Sequence, residues 1–515
     1  MPEIKMIIID ASKNVKIRRM IAMIVFIAIS AKSFLFCTYL FRNADMCRIH
    51  SVGIKEEKPL DMVYLGASDV YVYWQPLKAW NDYGFTSYNM AVNRTPSESI
   101  QYFIKETLKY HKPELFVISA RSFQYDWGGV ETDLRNSSDS LEFSLDRWKL
   151  IREYLENRTI NGNVDNLSFY FDIIKYHTNY SALASKANWD LINNKGTAMN
   201  KGFEWIPSYQ YLTPMDFETN SRNALSEINL KTLHKVLNFC KEKELNVLFV
   251  VCPYQITAGE QAQYNTIKDI VTSYGFGFLN GNEYYDEMRM DFSRDFYHSA
   301  HVNCYGAEKY TEFLGNYIME HYELPDHREE DVYAGWNEDF IRFAEEESDT
   351  KEKVDALILA AQEGKKIADS IRETTDFGEW CILAKDTRFT ILAVGDEGLP
   401  DLEDEEDRKA LALLGLDTLK GTSNYIRVTK DTNIIYTNLE TYETEYIGIV
   451  GYNSNIPNCT LKNTSNQELS IEINGEECSR KESGINIVIY ENDYNYVVDS
   501  VTLKCDDEGK IKLIR

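Results

Sequence analysis

Asp61-Met62-Val63-Tyr64-Leu65-Gly66-Ala67-Ser68-Asp69 is a short apolar run closed by a glycine and followed almost at once by a serine. Continuous apolarity over so few residues reads as a strand buried on both faces. Similar runs recur downstream. Glu114-Leu115-Phe116-Val117-Ile118-Ser119 follows a proline, Asn246-Val247-Leu248-Phe249-Val250-Val251-Cys252 is stopped by Pro253, and Gly275 to Leu279 is a shorter one. Helical patterns stand between them. Ser97 to Tyr110 places Ile100, Phe103, Ile104, Thr107 and Leu108 on one face, and Arg222 to Lys243, Glu260 to Ser273 and Gly306 to Tyr322 read as helices too. Apolar strands alternating with amphipathic helices predict an α/β fold, a parallel sheet covered by helices on both faces.

Two regions depart from that alternation. Residues 122–221 carry Trp127, Trp148, Trp189 and Trp205 among many polar residues. That aromatic content argues against a structureless linker and for an insertion over the sheet's edge, within a domain spanning 61–325. Residues 326–375, rich in Glu, Ala, Lys and Ile, read as a helical connector. Residues 376–515 read as a separate β-rich α+β domain, with short strands at Tyr425 to Val428, Tyr446 to Val450, Leu469 to Ile473, Ile485 to Tyr490 and Val497 to Val501. Asn474-Gly475 is a hairpin signal. The acidic run from Asp401 to Asp407 reads as a solvated loop or a first helical turn.

Composition narrows the function classes. Of 515 residues, 44% are hydrophobic and 26% charged, which excludes wholesale disorder and leaves room for about three domains. The chain has 81 Asp+Glu against 55 Lys+Arg, a net charge of −26, so it is a poor ligand for a phosphate backbone and no nucleic-acid partner is expected. Nine cysteines without a CxxC pair support neither a disulfide scaffold nor a metal cluster.

A mean hydropathy of −0.40 argues against many membrane spans, yet one is expected. Met20 to Phe41 is broken only by Ser30, Lys32, Ser33 and Thr38, and about 20 apolar residues cross a bilayer core. Lys13, Lys16, Arg18 and Arg19 precede the run. The positive-inside bias then makes residues 1–19 a cytoplasmic tail, 20–41 a transmembrane helix and 42–60 a linker. The expectation is a single-pass plasma-membrane protein with its large part extracellular. A cleaved signal peptide is the alternative, since Ala28-Ile29-Ser30 has the small residues of a cleavage site. The apolar run, however, continues past Ser30 to Phe41, which a signal peptide does not need.

The carboxyl ends of parallel strands form the ligand crevice of such folds. Ser68, just after a strand, would stand there near backbone N–H groups able to hold an oxyanion. The plainer reading is a serine capping a helix. A second cluster, Asp295-Phe296-Tyr297-His298-Ser299-Ala300-His301, precedes the last helix of the α/β part. A serine hydroxyl needs a base, usually histidine. Two histidines three residues apart, with Asp295 three before the first, offer a base and an orienting carboxylate. The alternatives are histidines that only bond a helix start, or metal ligands. No third ligand accompanies them at fixed spacing, so neither a metal nor a cofactor is expected.

Together the two pieces resemble the SGNH (GDSL) hydrolases over residues 60–322, where a serine follows the first strand and a late D-x-x-H motif supplies Asp and His. The closer resemblance is to the branch that serves teichoic acid D-alanine transfer and membrane-anchored polysaccharide O-acetylation. It is carried by Leu65-Gly66-Ala67-Ser68 and Gly84-Phe85-Thr86-Ser87-Tyr88-Asn89-Met90-Ala91 at the start. At the close it is carried by Phe296-Tyr297 and His301-Val302-Asn303 with Gly306-Ala307, Lys309-Tyr310-Thr311. The resemblance implies a flavodoxin-like sheet, Ser68 as nucleophile and His301 as base; Asp295 keeps the D-x-x-H spacing only with His298, the alternative base, and is the candidate to orient either histidine. It also implies an oxyanion hole from Ser68 and groups near Ala91 and Asn93. The expected activity is ester hydrolysis or O-acyl transfer on a cell-surface glycan or acylated polysaccharide, with a membrane acyl-donor protein as partner. The departures are His298 where the pattern places the Asp, and Ser119-Ala120-Arg121 where it has G-x-N-D. They leave open a degenerate member that binds glycan or assists polysaccharide assembly. Residues 483–490 with Val498-Asp499-Ser500, and residues 389–398 with Leu414-Gly415, are similar to the interleukin-like EMT inducer (PANDER-type) domain in permuted order, which implies an accessory carbohydrate-binding role.

Overall fold

The structure is a computed structural model that describes residues 2–42, 54–55, 57–192, 200–395, 404–416, 425–430, 433–438, 444–449, 458–463, 469–492 and 496–515. Most of the expected linker 42–60, residues 401–403 of the acidic run and Val450 lie outside the described residues. The chain divides into two compact units, Met1–Val354 and Asp355–Arg515.

The first unit opens with α1 (Pro2–Phe41), within which Ile17–Phe41 reaches a mean hydropathy of 2.3 and is long and apolar enough to cross a membrane. Next come β1 (Met62–Gly66), α2 (Ser68–Tyr71), α3 (Pro76–Tyr83), β2 (Ser87–Ala91), α4 (Ser97–Thr107) and β3 (Leu115–Ser119). The aromatic region folds into α5 (Glu131–Ser138), α6 (Leu145–Asn157), α7 (Leu167–Tyr170), α8 (Ile173–Tyr176) and α9 (Lys186–Ile192). Then follow α10 (Glu227–Glu242), β4 (Val247–Val251), α11 (Ala258–Ser273) and β5 (Gly277–Asn280). A short antiparallel pair, β6 (Phe296–His298) and β7 (His301–Val302), leads into α12 (Cys304–His321). The division between units falls within α13 (Ala334–Glu373).

The sheet runs β2-β1-β3-β4-β5 and every neighbouring pair is parallel. β1, β3 and β4 are buried at every position, as continuous apolar runs demand. The chain winds from β1 outward to β2, then returns past β1 to β3 and on to β5. The loops leaving β1 and β3 therefore diverge, and a crevice opens between the carboxyl ends of these two strands. Helix starts follow the side-chain caps. Thr257 and Glu260 form a capping box on α11, Ser226 accepts from the Asn229 N–H on α10, and Asn303 accepts from the Tyr305 N–H on α12.

β2 is an edge strand, and a segment beyond α9 covers its open side. The Asn89 N–H donates to the Lys201 carbonyl at 2.9 Å. A Cβ at Gly202, whose φ is +86°, would lie 2.3 Å from the Asn89 carbonyl oxygen, so only glycine permits this approach. The insertion has a small core of its own in Leu134, Ile151, Tyr154 and Phe169. Its aromatic residues also grip the end of α1. Phe34 lies 5.9 Å from Phe143 and 6.4 Å from Phe171, and Phe36 lies 6.1 Å from Trp189. Asn188 donates to the carbonyls of Leu40 and Arg42, and Arg42 Nε meets Asp172 at 2.7 Å.

The second unit begins within α13 and continues through α14 (Phe377–Ala384), β8 (Phe389–Gly395) and α15 (Glu405–Leu413). Its later strands are β9 (Tyr425–Lys430), β10 (Asn433–Asn438), β11 (Thr444–Ile449), β12 (Asn458–Asn463), β13 (Leu469–Ile473), β14 (Glu476–Glu477), β15 (Ile485–Glu491), β16 (Tyr496–Cys505) and β17 (Ile511–Ile514). They form one sheet in the order β10-β9-β8-β15-β16-β17 and another in the order β11-β12-β13-β14. β8 shows how the layers stack. Leu392 and Val394 point into a core shared with Leu461, Ile471 and Val488, while Phe389, Ile391 and Ala393 join Ile371, Trp380 and Leu411 on the helical side. Asn474 and Gly475 both take positive φ, as a two-residue turn between β13 and β14 requires. Asp404 caps α15, so the described end of the acidic run is a first helical turn.

The end of α13 closes this unit's helical layer. Ala368 and Ile371 are fully buried, Arg372 donates to the Val498 carbonyl at 2.6 Å, and Arg515 donates to the Ile371 carbonyl at 2.6 Å. A fragment of residues 355–515 is therefore expected to melt cooperatively. A fragment of 375–515 should be less stable by about 3 kcal/mol or more, because it exposes that face. Denaturant melts of the two fragments check this, and equal midpoints would reject the assigned boundary.

Candidate active site

Gly66 sets the geometry of the turn after β1. An added Cβ would lie 2.6 Å from Val70 Cγ2 and 2.7 Å from Ser119 Cβ, so the chain can fold back against β3 only with glycine there. This places Ser68, half-buried, at the start of α2 and at the mouth of the β1–β3 crevice. Its neighbour Asp69 is buried and fastens the turn. Its carboxylate accepts the Ala67 N–H at 3.2 Å and the Ser119 hydroxyl. The Ser119 hydroxyl oxygen in turn accepts the Arg121 N–H at 3.2 Å.

The two histidines come from the turn between β6 and β7, where His298 pairs with His301 across the ladder. The turn is pinned from three sides. The Gln255 N–H donates to the Ser299 carbonyl at 2.9 Å, while Arg121 Nη1 and the Tyr73 hydroxyl donate to the Ala300 carbonyl at 3.0 and 3.2 Å. The His301 ring lies nearly parallel to Tyr297, with 5.6 Å between centroids.

Ser68 and His301 meet directly: Oγ and Nε2 are 2.6 Å apart. His301 Nδ1 is 2.8 Å from His298 Nε2, and His298 Nδ1 lies 3.0 Å from the Ala300 N–H. This chain has a direction. The Ala300 amide can only donate, so His298 Nδ1 carries no proton. Neutral His298 then bears its proton on Nε2 and donates to His301 Nδ1. His301 keeps its own proton on Nε2 and donates to Ser68 Oγ. That is the reverse of what proton abstraction from Ser68 requires. Burial lowers the proton affinity of both rings, and the Arg121 charge lowers it further. His298 is pushed down to about 4, and His301, which also faces His298, well below the usual histidine range.

Asp295, expected to orient a histidine, has other partners. It is buried, and its carboxylate accepts from Lys309 Nζ at 2.6 Å and from the Asp291 N–H at 2.7 Å. Neither histidine is among its hydrogen-bond partners. Burial raises its proton affinity, against the opposing pull of Lys309 and that N–H. Ala91 pairs with Gly66 in the β2–β1 register, and Thr95 Oγ1 ties the Gly66 and Val92 carbonyls at 2.7 and 2.9 Å. Ala91 and Asn93 thus lie in a turn held against the end of β1. Arg121, the last residue of the Ser119-Ala120-Arg121 segment that stands in place of G-x-N-D, lies two residues beyond the end of β3. It is stacked 4.5 Å over Tyr254 and is a fixed positive charge beside the histidine turn. A separate cleft of about 800 Å³ is lined by Phe217, Arg222, Asn265, Asp269 and Tyr285 among others, and by neither Ser68 nor the histidines. No family model and no curated protein matches this chain.

Proposed function

We propose that the chain is a membrane-anchored, extracytoplasmic protein of SGNH type in which Ser68 and His301 handle acyl esters of cell-envelope or capsular polysaccharide, as ester hydrolase or O-acyltransferase. The observation that carries this reading is the 2.6 Å contact between Ser68 and His301, side chains 233 residues apart in sequence. The strand order 2-1-3-4-5, that of flavodoxin-like sheets, supports it. In this scheme His301 carries its proton on Nδ1, the tautomer opposite to the one the His298 chain favours, and Ser68 Oγ bonds to the acyl carbon as its proton passes to the free His301 Nε2. His301 returns the proton to the departing alcohol as the ester C–O bond breaks. Water or a sugar hydroxyl then releases the acyl group by the same steps. Arginines before α1's apolar stretch support an outer location for the large part. β8 and β15, which hold two segments similar to the EMT inducer-type domain, are hydrogen-bonded neighbours, and this supports an accessory glycan-binding role for the second unit.

One observation favours a second reading, a degenerate member that binds glycan or assists polysaccharide assembly. The hydrogen-bond chain through His298 donates toward Ser68, and it is an imidazole rather than a carboxylate that meets His301 Nδ1. Fluorophosphonate labelling of the purified full chain separates the two. The acyl-handling reading expects covalent labelling that Ser68→Ala abolishes and His301→Ala reduces by orders of magnitude. A parent chain that labels no more than Ser68→Ala would overturn it, and a glycan array would then test the binding reading.

A further inference from the structure

The apolar part of α1 is not free to lie wholly in lipid. Ile17 to Lys32 are exposed, whereas Thr38, Leu40 and Arg42 are buried against the insertion, and ring contacts with it begin at Phe34. Arg18 and Arg19 mark the other boundary. The stretch from Met20 to Ser33 rises about 21 Å at 1.5 Å per residue, against a hydrocarbon core of about 30 Å. The helix meets the insertion before it has crossed that thickness.

The insertion exposes several large apolar side chains at that meeting place. Leu145, Leu167, Ile174, Tyr180, Leu183 and Trp189 are all exposed large hydrophobic residues, with Leu167 at 58%, Tyr180 at 67% and Leu183 at 52%. Each stands on or beside an element that packs on α1. α8, α9 and the short helix Tyr180–Ala184 touch it directly. Leu145 and Leu167 open α6 and α7, and the neighbouring Phe143 and Phe171 hold the Phe34 ring. Scattered exposed apolar residues need no explanation, but a set gathered around the exit of a lipid-facing helix does. Tyr and Trp with aliphatic neighbours are the residues that settle at the boundary of headgroups and acyl chains.

We propose that this face of the insertion is seated in the interfacial layer of the bilayer, a second membrane contact around the spanning helix. The seat makes up the missing length of the span and gives the exposed apolar set its occupant. The same insertion holds the turn beside Ser68, since Arg94 pairs with Asp133 at 2.6 Å and Asn136 donates to the Asn93 carbonyl at 2.8 Å. The seat thus links the membrane surface to the crevice, whether or not Ser68 is active.

Tryptophan quenching tests this on the full chain in vesicles of phosphatidylcholine and phosphatidylglycerol, a fraction of the lipid carrying bromine on the first few acyl carbons. Trp189→Phe should lose part of the parent's quenching. In that background Leu183→Trp and Tyr180→Trp, at exposed positions tolerant of a large ring, should regain it. Leu230→Trp on α10 is the control, and its added fluorescence should be quenched at least about twofold less than that of the two seat positions. The proposal is overturned if Leu183→Trp and Tyr180→Trp are quenched no more than Leu230→Trp. Because the readout involves neither Ser68 nor the histidines, its failure is distinct from failure of the acyl-handling reading.

Discussion

His298→Glu should raise the rate of fluorophosphonate labelling at Ser68 by up to about 10⁴, the loss seen when the orienting carboxylate of a Ser-His pair is replaced by an amide. The reason is the direction of the hydrogen-bond chain. His298 can accept from the Ala300 N–H only by presenting its own proton to His301, which leaves the His301 proton facing Ser68. A glutamate carboxylate reaches about as far from Cα as the imidazole Nε2 and only accepts. It would draw the His301 proton to Nδ1, free Nε2 for the Ser68 proton, and stabilise the imidazolium that forms. His298→Asp stops one bond shorter and should give a smaller gain. The pH profile supplies an independent check. His301 works only when neutral, and burial, Arg121 and His298 hold its proton affinity well below the usual range. The acid limb of parent labelling should therefore lie well below the ordinary histidine value of about 6.5. In His298→Glu the added negative charge raises the proton affinity of His301, so the limb should move upward in pH. If His298→Glu labels no faster than the parent and its limb does not move, His301 is not the base for Ser68.

The parts of this site that could be read from sequence are those where one physical demand dominates. β1, β3 and β4 were legible because a strand covered on both faces must be apolar throughout. β2 was not, because its buried Ser87 and Asn89 are satisfied by partners remote from any local pattern. The Trp74 indole donates to Ser87, Asn89 donates to the Trp74 carbonyl, and Lys201 receives the Asn89 N–H. Ser68 and His301 were legible as a candidate pair because few residue types can serve as nucleophile and base, and the fold brings the two within 2.6 Å. Which partners Asp295 takes was not legible, because D-x-x-H spacing does not say which way a side chain points. The tight β6–β7 turn brings His298 to His301, while Asp295 bonds Lys309 on α12. The aromatic content of the insertion was visible, but not that its purpose includes gripping α1, since Phe34 and Phe143 meet only after the chain has folded.

Asp172→Ala should destabilise the first unit by about 3–5 kcal/mol, the cost of leaving buried charge without its partner. Asp172 has no solvent exposure, and its carboxylate accepts from Arg42 Nε at 2.7 Å and from Arg147 Nη2. Arg42 and Arg147 are themselves almost fully buried. The other carboxylate in the cluster, Asp139, receives Arg147 Nη2 at 3.2 Å and the Tyr176 hydroxyl at 2.8 Å. It cannot balance two guanidinium groups alone. Arg42→Ala should cost less, because Asp172 keeps Arg147, but it cuts the ionic tie between the insertion and the end of α1. Asp126→Ala is the contrast, since Asp126 is 44% exposed in its pair with Arg158 and should change stability by only about 0–1 kcal/mol. Denaturant unfolding of the full chain in detergent, followed by tryptophan fluorescence, measures all three. If Asp172→Ala costs no more than Asp126→Ala, the buried cluster is not what fastens the insertion to α1. If the expected order holds, the same charges that stabilise the insertion also fix how it sits on α1. Removing Asp172 should then loosen α1 from the insertion, because Arg42 at the end of α1 loses its carboxylate partner.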